Sequence, residues 1–184
     1  MTSTFLYGAH VAANSIRQHY LRYGGHGRRL VIVPGITSPA VTWGFVAERF
    51  GRTFDTYVLD VRGRGLSSAE SDLDFGLDAC AADVTAFVSA LALDSVLLLG
   101  HSMGGRITVR SARDPDCSVR RLVLVDPPVS GPGRRAYPSP LSWYLDSIRL
   151  ATRGVSVDEL RSYLPDWSNA HLQIRAEWLH SFIL

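Results

Sequence analysis

Residues 97–109 read LLLGHSMGGRITV, an apolar run that ends at Gly100 and gives way at once to a pattern typical of a helix. Ser102 stands between the two, one residue away from a glycine on each side, Gly100 and Gly104. A tight turn from strand to helix strains the backbone at the serine and crowds its neighbours, so glycines are needed beside it. This context predicts a nucleophilic serine, with an ordinary helix N-cap as the alternative.

A second loop can complete a site around this serine. The helix that starts after Ser102 directs free backbone N–H groups and the positive end of its dipole toward a developing oxyanion. Pro34 and Gly35 end an earlier apolar strand, and the loop that follows can supply another donor. We expect the backbone N–H groups of Ile36 and Met103 to form the oxyanion hole. Taken alone, Pro34 and Gly35 fit a plain turn at the end of a strand.

Apolar strands alternate with amphipathic helices along the rest of the chain. Two antiparallel strands are expected over 5–12 and 15–23, with Asn14-Ser15 as the turn between them. Further strands are predicted over 29–34, 56–61, 95–100 and 121–126, and helices over 42–50, 77–92 and 102–113. Strands that are apolar on both faces and separated by helices indicate a parallel sheet covered by helices. The predicted fold class is α/β with a mostly parallel sheet.

The composition excludes several functional classes. The 184 residues carry a net charge of +2, and the arginines are scattered or paired, which does not predict nucleic-acid binding. Cys80 and Cys117 have no metal-ligand spacing, so we expect no metal site. Two unclustered cysteines fit a reducing compartment. The chain shows no signal-peptide pattern and no apolar run near the roughly 20 residues that span a bilayer. We expect a cytoplasmic protein with no membrane partner.

The motifs, in their order, resemble the α/β-hydrolase superfamily. The resemblance rests on VIVPG at 31–35, DVRGRGLS at 60–67, GHSMGG at 100–105 and LVLVD at 122–126. It implies a cofactor-free serine hydrolase with a mostly parallel sheet. It also implies that the aspartate and arginine of DVRGRGLS tie loops together and take no part in the chemistry.

A longer run narrows this resemblance. VPGITSPAVTWGFVAERF at 33–50 resembles amidohydrolases of the superfamily that remove a formyl group in nicotinic acid breakdown. Pro34-Gly35 stands where most members carry His-Gly. The resemblance implies that Ser102 is the nucleophile, that Asp126 is the acid of a Ser-His-Asp triad, and that the substrate is a small organic anion with an amide bond. For the acid, the alternative is a residue one strand later, where many members carry it. For the function, the alternative is hydrolysis of an ester or a carbon–carbon bond.

Residues 129–184 differ in composition from the part before them. A linker rich in Pro and Gly leads into segments with helical patterns. We expect 1–128 to form the N-terminal part of the hydrolase core, and 129–184 to form the linker and the beginning of a helical cap. An anionic substrate calls for a basic residue in the pocket. The candidates, for each of which a surface position is the favoured alternative, are Arg106, Arg134 and Arg135.

None of the six histidines stands where this fold places its general base. The base follows the acid in the chain, on a loop after the last strands, and no strand pattern follows residue 126. His171 and His180 fall on helical patterns, which favours a structural position for both, with a substitute base from one of them as the alternative. We therefore expect a C-terminally truncated hydrolase that lacks its last strands and its triad histidine. The alternative is a catalytically inactive fragment.

Overall fold

A computed structural model of the chain describes residues 2–129, 131–134, 136 and 140–181. The strands are β1 (Phe5–Ala13), β2 (Ile16–Tyr23), β3 (Arg28–Val33), β4 (Phe54–Leu59), β5 (Val96–His101) and β6 (Val119–Val125). The α-helices are α1 (Gly44–Phe50), α2 (Leu77–Ala90), α3 (Met103–Ser111), α4 (Leu141–Arg153), α5 (Val157–Tyr163) and α6 (Asn169–Trp178). Short 3₁₀ turns lie at Ala40–Trp43 and Leu179–Ser181.

The six strands form one sheet in the order β1-β2-β4-β3-β5-β6. β2 pairs antiparallel with both β1 and β4, while β4, β3, β5 and β6 run parallel. Asn14 and Ser15 form the turn of the first hairpin with φ angles of 48° and 62°, the left-handed pair that two-residue hairpin turns require. The prediction of an α/β fold with a mostly parallel sheet and an N-terminal hairpin is confirmed, with strand ends shifted by one or two residues.

The central strand β3 explains why its sequence is apolar throughout. Alternate residues point to opposite faces of a sheet. Val31 and Val33 join a buried cluster with Phe87 of α2 on one face. Leu30 and Ile32 join a second cluster on the other face, which includes a residue of α1. All five side chains are 3% exposed or less. Both faces of the sheet are therefore covered by helices around the strand that precedes the Pro-Gly loop.

The loop after β4 is held by a buried ion pair. Arg62 donates from Nε and Nη2 to the carboxylate of Asp83 in α2, at 2.6 and 2.5 Å. Its Nη1 donates to the carbonyl oxygen of Asp74 at 2.6 Å. Asn14 donates to Asp83 as well, at 2.7 Å, so the carboxylate also holds the first hairpin. The structural role that the resemblance implies for Arg62 is confirmed.

Asp60 is the second residue that anchors this loop. Its carboxylate accepts the backbone N–H groups of Ala40 at 2.6 Å and Leu66 at 3.0 Å, and it lies 2.6 Å from Nδ1 of His19. Gly65 adopts a φ of +57°, and a Cβ there would come within 2.2 Å of the Asp60 carboxylate. The turn therefore needs glycine, and Asp60 has the structural role that the sequence predicts.

Residues 140–181 are mostly helical, as predicted, and have a core of their own. Leu150, Leu160, Leu172 and Leu179 form an apolar cluster separate from those on the sheet. This cluster agrees with a division of the chain near residue 128, which stays a prediction. No helix among the described residues is both long enough and apolar enough to cross a membrane.

Candidate active site

Ser102 occupies the sharp turn between β5 and α3, as the sequence predicts. Its φ of 52° and ψ of −120° lie outside the regions that L-residues favour. Its backbone N–H donates to the carbonyl oxygen of Val125 at 2.9 Å, and its own carbonyl accepts the N–H of Gly105 at 2.9 Å. Such conformations cost about 1–3 kcal/mol and are concentrated at functional sites. The sheet and the helix thus hold the serine in a strained conformation.

The glycines on each side of Ser102 are required by close backbone contacts. A Cβ at Gly104 would lie 1.9 Å from the carbonyl oxygen of Val33 in β3. A Cβ at Gly100 would lie 2.4 Å from the carbonyl oxygen of Gly104 and 2.5 Å from Oγ1 of Thr108. All three distances are far below van der Waals contact. The spacing Gly-x-Ser-x-Gly therefore follows from how tightly α3 packs against the sheet.

The Pro-Gly loop lies directly beside the serine. A Cβ built on Gly35 would be 3.3 Å from Cβ of Ser102 and 3.0 Å from Nδ1 of His101. Ile36 is the next residue, so the structure brings the predicted oxyanion loop to the serine. The assignment of Ile36 and Met103 as oxyanion donors stays a prediction.

Arg64 links the two predicted oxyanion residues, and the sequence analysis missed this function. Its buried guanidinium donates from Nε to the carbonyl oxygen of Ile36 at 3.0 Å, and its Nη2 lies 3.7 Å from Sδ of Met103. Nη1 donates to the carbonyl of Arg62 at 2.6 Å. Burial lowers the pKa of Arg64, and no carboxylate in the described part of the chain pairs with it. A positive charge therefore contacts both predicted oxyanion residues, at the carbonyl of Ile36 and the thioether of Met103.

Asp126 follows β6, the strand next to that of the serine. It has a φ of 45°, and its side chain is exposed. Burial lowers the pKa of His101, and the negative charge of Asp126 opposes this effect only in part. The Asp126 carboxylate is therefore close enough to act electrostatically on the turn that holds Ser102. The structure therefore places Asp126 directly after the strand that neighbours the strand of Ser102, and its role as the triad acid stays a prediction.

All six histidines fall in the described residues, and none makes a hydrogen bond to Ser102 or Asp126. Three bind other groups, while His101 and His171 lie against the aromatic rings of Trp43 and Phe45 in tilted arrangements. His180 is exposed in the last 3₁₀ turn. The three histidines that bind other groups are His10, His19 and His26, and their partners are Leu66, Asp60 and Gly24 respectively. The described residues thus leave Ser102 without a histidine base.

A cavity of about 400 Å³ lies between the loop after β3 and the helices α4 to α6. Its wall is largely apolar and includes Trp43, Trp143 and Trp167. His101, the residue before Ser102, also lines it. Arg175 of α6 also lines this cavity. The cavity therefore reaches from His101, the residue before Ser102, to the helical segment, and Ser102 itself is not among the residues that line it.

The structure does not bring Arg106 or Arg134, two of the three predicted anion-binding arginines, to this cavity. Arg106 is exposed on α3, Arg134 is exposed after β6, and neither lines the cavity. Arg135 lies outside the described residues. Within the described residues no cluster of His, Cys, Asp or Glu side chains could hold a metal ion. Cys80 and Cys117 are buried and form no disulfide.

Comparison with known proteins agrees with this geometry. A family model described as alpha/beta hydrolase fold matches residues 28–167. An N-formylmaleamate deformylase of Pseudomonas putida is 66% identical over 179 residues, which are 97% of this chain and 67% of that protein. A 2-(acetamidomethylene)succinate hydrolase of Mesorhizobium japonicum is 30% identical over 106 residues, or 58% of this chain and 38% of that protein.

A solved structure extends the comparison to three dimensions. The crystal structure of an N-formylmaleamic acid deformylase from another Pseudomonas putida strain superimposes with a TM-score of 0.89 at 55% identity. The superposition covers 96% of this chain and 69% of that one, so the chain spans about two thirds of the length of both deformylases. The family model, the 66% identity and the shared architecture together show that the chain belongs to the α/β-hydrolase fold family.

Proposed function

We propose that the chain carries the nucleophile of a serine hydrolase that cleaves the formamide C–N bond of N-formylmaleamate. The observation that carries this proposal is the 66% identity to a deformylase of that substrate along 97% of the chain. The strained serine beside the Pro-Gly loop supports it, because acyl transfer needs a nucleophile and oxyanion donors in one place. Ester hydrolysis by the same fold is the alternative.

In the proposed mechanism, the hydroxyl oxygen of Ser102 attacks the formyl carbon and a base accepts its proton. The N–H groups of Ile36 and Met103 donate to the negatively charged oxygen of the tetrahedral intermediate. The C–N bond breaks as the leaving nitrogen takes the proton, which releases maleamate and leaves a formyl ester on the serine. Water, deprotonated by the same base, then attacks the ester and releases formate.

The general base is the part that the described residues do not supply. A serine hydroxyl is a weak nucleophile near neutral pH without an adjacent base. We propose that a histidine from outside these 184 residues performs this role and that Asp126 orients it. Asp126 suits this part because it ends the strand next to that of Ser102.

Further proposals concern the cap, the ligand and the setting. We propose that residues 129–184 form a linker and the beginning of a cap, which the separate leucine cluster of these helices supports. We propose a small organic anion as ligand and no nucleic-acid partner, in keeping with the scattered arginines. Two buried cysteines that form no disulfide support a location in the reducing cytoplasm.

The proposed activity predicts a strong preference for the formamide. The test uses an extended chain, in which these 184 residues are fused to the third of the Pseudomonas putida relative that lies outside the match. The extended chain should cleave N-formylmaleamate with a kcat/KM at least ~100-fold above that for p-nitrophenyl acetate. Formate release and nitrophenol absorbance measure the two reactions. The unextended chain is the control and should release formate at the background rate. Ester cleavage without formate release would contradict the deformylase proposal and favour the alternative.

Arg64 should matter for the rate more than for binding. Replacing it with methionine removes the donor to the Ile36 carbonyl, so the loop can shift where the oxyanion forms. We expect kcat to fall by about 10- to 100-fold while KM changes less than ~threefold. The reason is that the oxyanion forms in the transition state and is absent from the bound substrate. Steady-state formate release measures both constants, and Arg64→Lys should recover part of kcat. Equal losses in kcat for methionine and lysine, or a change confined to KM, would contradict this role.

A further inference from the structure

Arg175 is a half-buried cation with no acidic partner among the described residues. Its guanidinium donates to the carbonyl oxygen of Thr37 and, at 2.5 Å, to Oγ1 of the same residue. Burial lowers its pKa to about 10, and no charged neighbour contributes to this shift. Removing a charged group from water is costly unless an opposite charge compensates it. Two uncharged oxygens on a single threonine compensate it only in part.

The surroundings of Arg175 suggest a ligand in place of a protein counter-ion. It belongs to the wall of the cavity, whose other contributors are mostly aromatic and aliphatic side chains. Such cavities bind small molecules through apolar contact and a few placed polar groups. A guanidinium has five N–H donors, and its pairing with Thr37 leaves further donors for an anion. Planar, bidentate pairing is the geometry in which arginine binds carboxylates best.

The position of this cation relates it to the chemistry. Thr37 directly follows Ile36, the residue proposed to hold the oxyanion. His101, which also lines the cavity, directly precedes Ser102. A ligand that spans the cavity from Arg175 toward these residues would therefore direct its opposite end to the serine. Both relatives described above are named for substrates that carry a carboxylate as well as an acylated nitrogen.

We propose that Arg175 binds the carboxylate of the substrate and selects short carboxylate-bearing amides over neutral ones. This inference rests on the proposed function of the Ser102 site and assigns its substrate-binding cation. Arg175 takes the role for which Arg106 and Arg134 were candidates, and both of these are exposed. The aromatic wall then contacts the carbon chain between the carboxylate and the amide.

Anion binding can be measured without turnover, because three tryptophans line the same cavity. Maleate and its neutral diamide, maleamide, are titrated against the 184-residue chain while tryptophan fluorescence is recorded. We expect maleate to bind at least ~tenfold more tightly than the diamide, and Arg175→Gln to abolish this preference. Arg175→Lys, which keeps the charge but not the planar pairing, should retain part of it. Arg113→Gln removes an exposed arginine and is the matched control.

Each result decides the proposal. Loss of the maleate preference in Arg175→Gln, with diamide affinity kept within ~twofold, supports a carboxylate site. Equal weakening of both ligands would show that Arg175 only anchors the loop, and would overturn the proposal. The absence of any maleate preference in the parent chain would overturn it as well. Failure of the extended chain to release formate would contradict the proposed function and leave the anion-binding result standing.

Discussion

Replacing Ser102 with alanine is expected to lower kcat/KM for N-formylmaleamate by at least ~10⁴-fold in the extended chain. The reason is that the oxygen which forms the formyl ester is removed, so only the oxyanion donors and substrate binding remain to stabilise the transition state. KM should change little, because the hydroxyl contributes little to binding in the ground state. Formate release under steady-state conditions gives both constants.

Two controls separate lost chemistry from lost structure. Ser89→Ala changes an exposed serine at the end of α2 and should leave kcat/KM unchanged. A fluorophosphonate probe should label the extended parent at Ser102, and should label the unextended chain only slowly because no described histidine contacts the hydroxyl. Rapid labelling of the unextended chain that depends on Ser102 would show a base within it. Formate release by Ser102→Ala at a tenth of the parent rate or more would rule out the serine as nucleophile.

Those parts of the fold that depend on local pattern could be predicted from the sequence. The alternation of strand and helix follows from apolar periodicity, and the Asn14-Ser15 turn follows from residues that tolerate positive φ. The strained turn at Ser102 was also predictable, since its glycines report a close approach of two backbones. Even here the elements differ in detail, because the predicted helix over 42–50 begins as a 3₁₀ turn at Ala40.

The ligand-facing part of the site could not be predicted in the same way. Arg64 and Arg175 contact Ile36 and Thr37 across 28 and 138 residues of sequence. No local pattern reports such pairings, and a composition with scattered arginines favours a surface position for each of them. The sequence offered Arg106, Arg134 and Arg135 as candidates but favoured a surface position for each, and Arg106 and Arg134 are exposed in the structure. A buried charge becomes recognisable only when its surroundings are known.

Replacing Gly104 with alanine is expected to lower the free energy of unfolding by more than ~3 kcal/mol, at or beyond the upper end of ordinary overpacking. The new Cβ would lie 1.9 Å from the carbonyl oxygen of Val33, so α3 and β3 would have to separate. β3 is the central strand, buried on both faces, and cannot move without disturbing both apolar clusters. Urea unfolding followed by circular dichroism measures the change.

Gly44→Ala is the matched control, because it makes the same chemical change at a helical glycine with space around it. A Cβ at Gly44 meets only the hydroxyl of Tyr23, at 3.4 Å, so its effect should be within ~1 kcal/mol and in the stabilising direction. If Gly104→Ala is recovered only as insoluble protein while Gly44→Ala is soluble, the clash has the expected severity. Equal urea midpoints for the two variants would mean that α3 can move away from the sheet at little cost. In that case the packing of the fold would no longer explain the glycine at 104. The explanation would be the chemistry at Ser102, which needs the serine held in a fixed position.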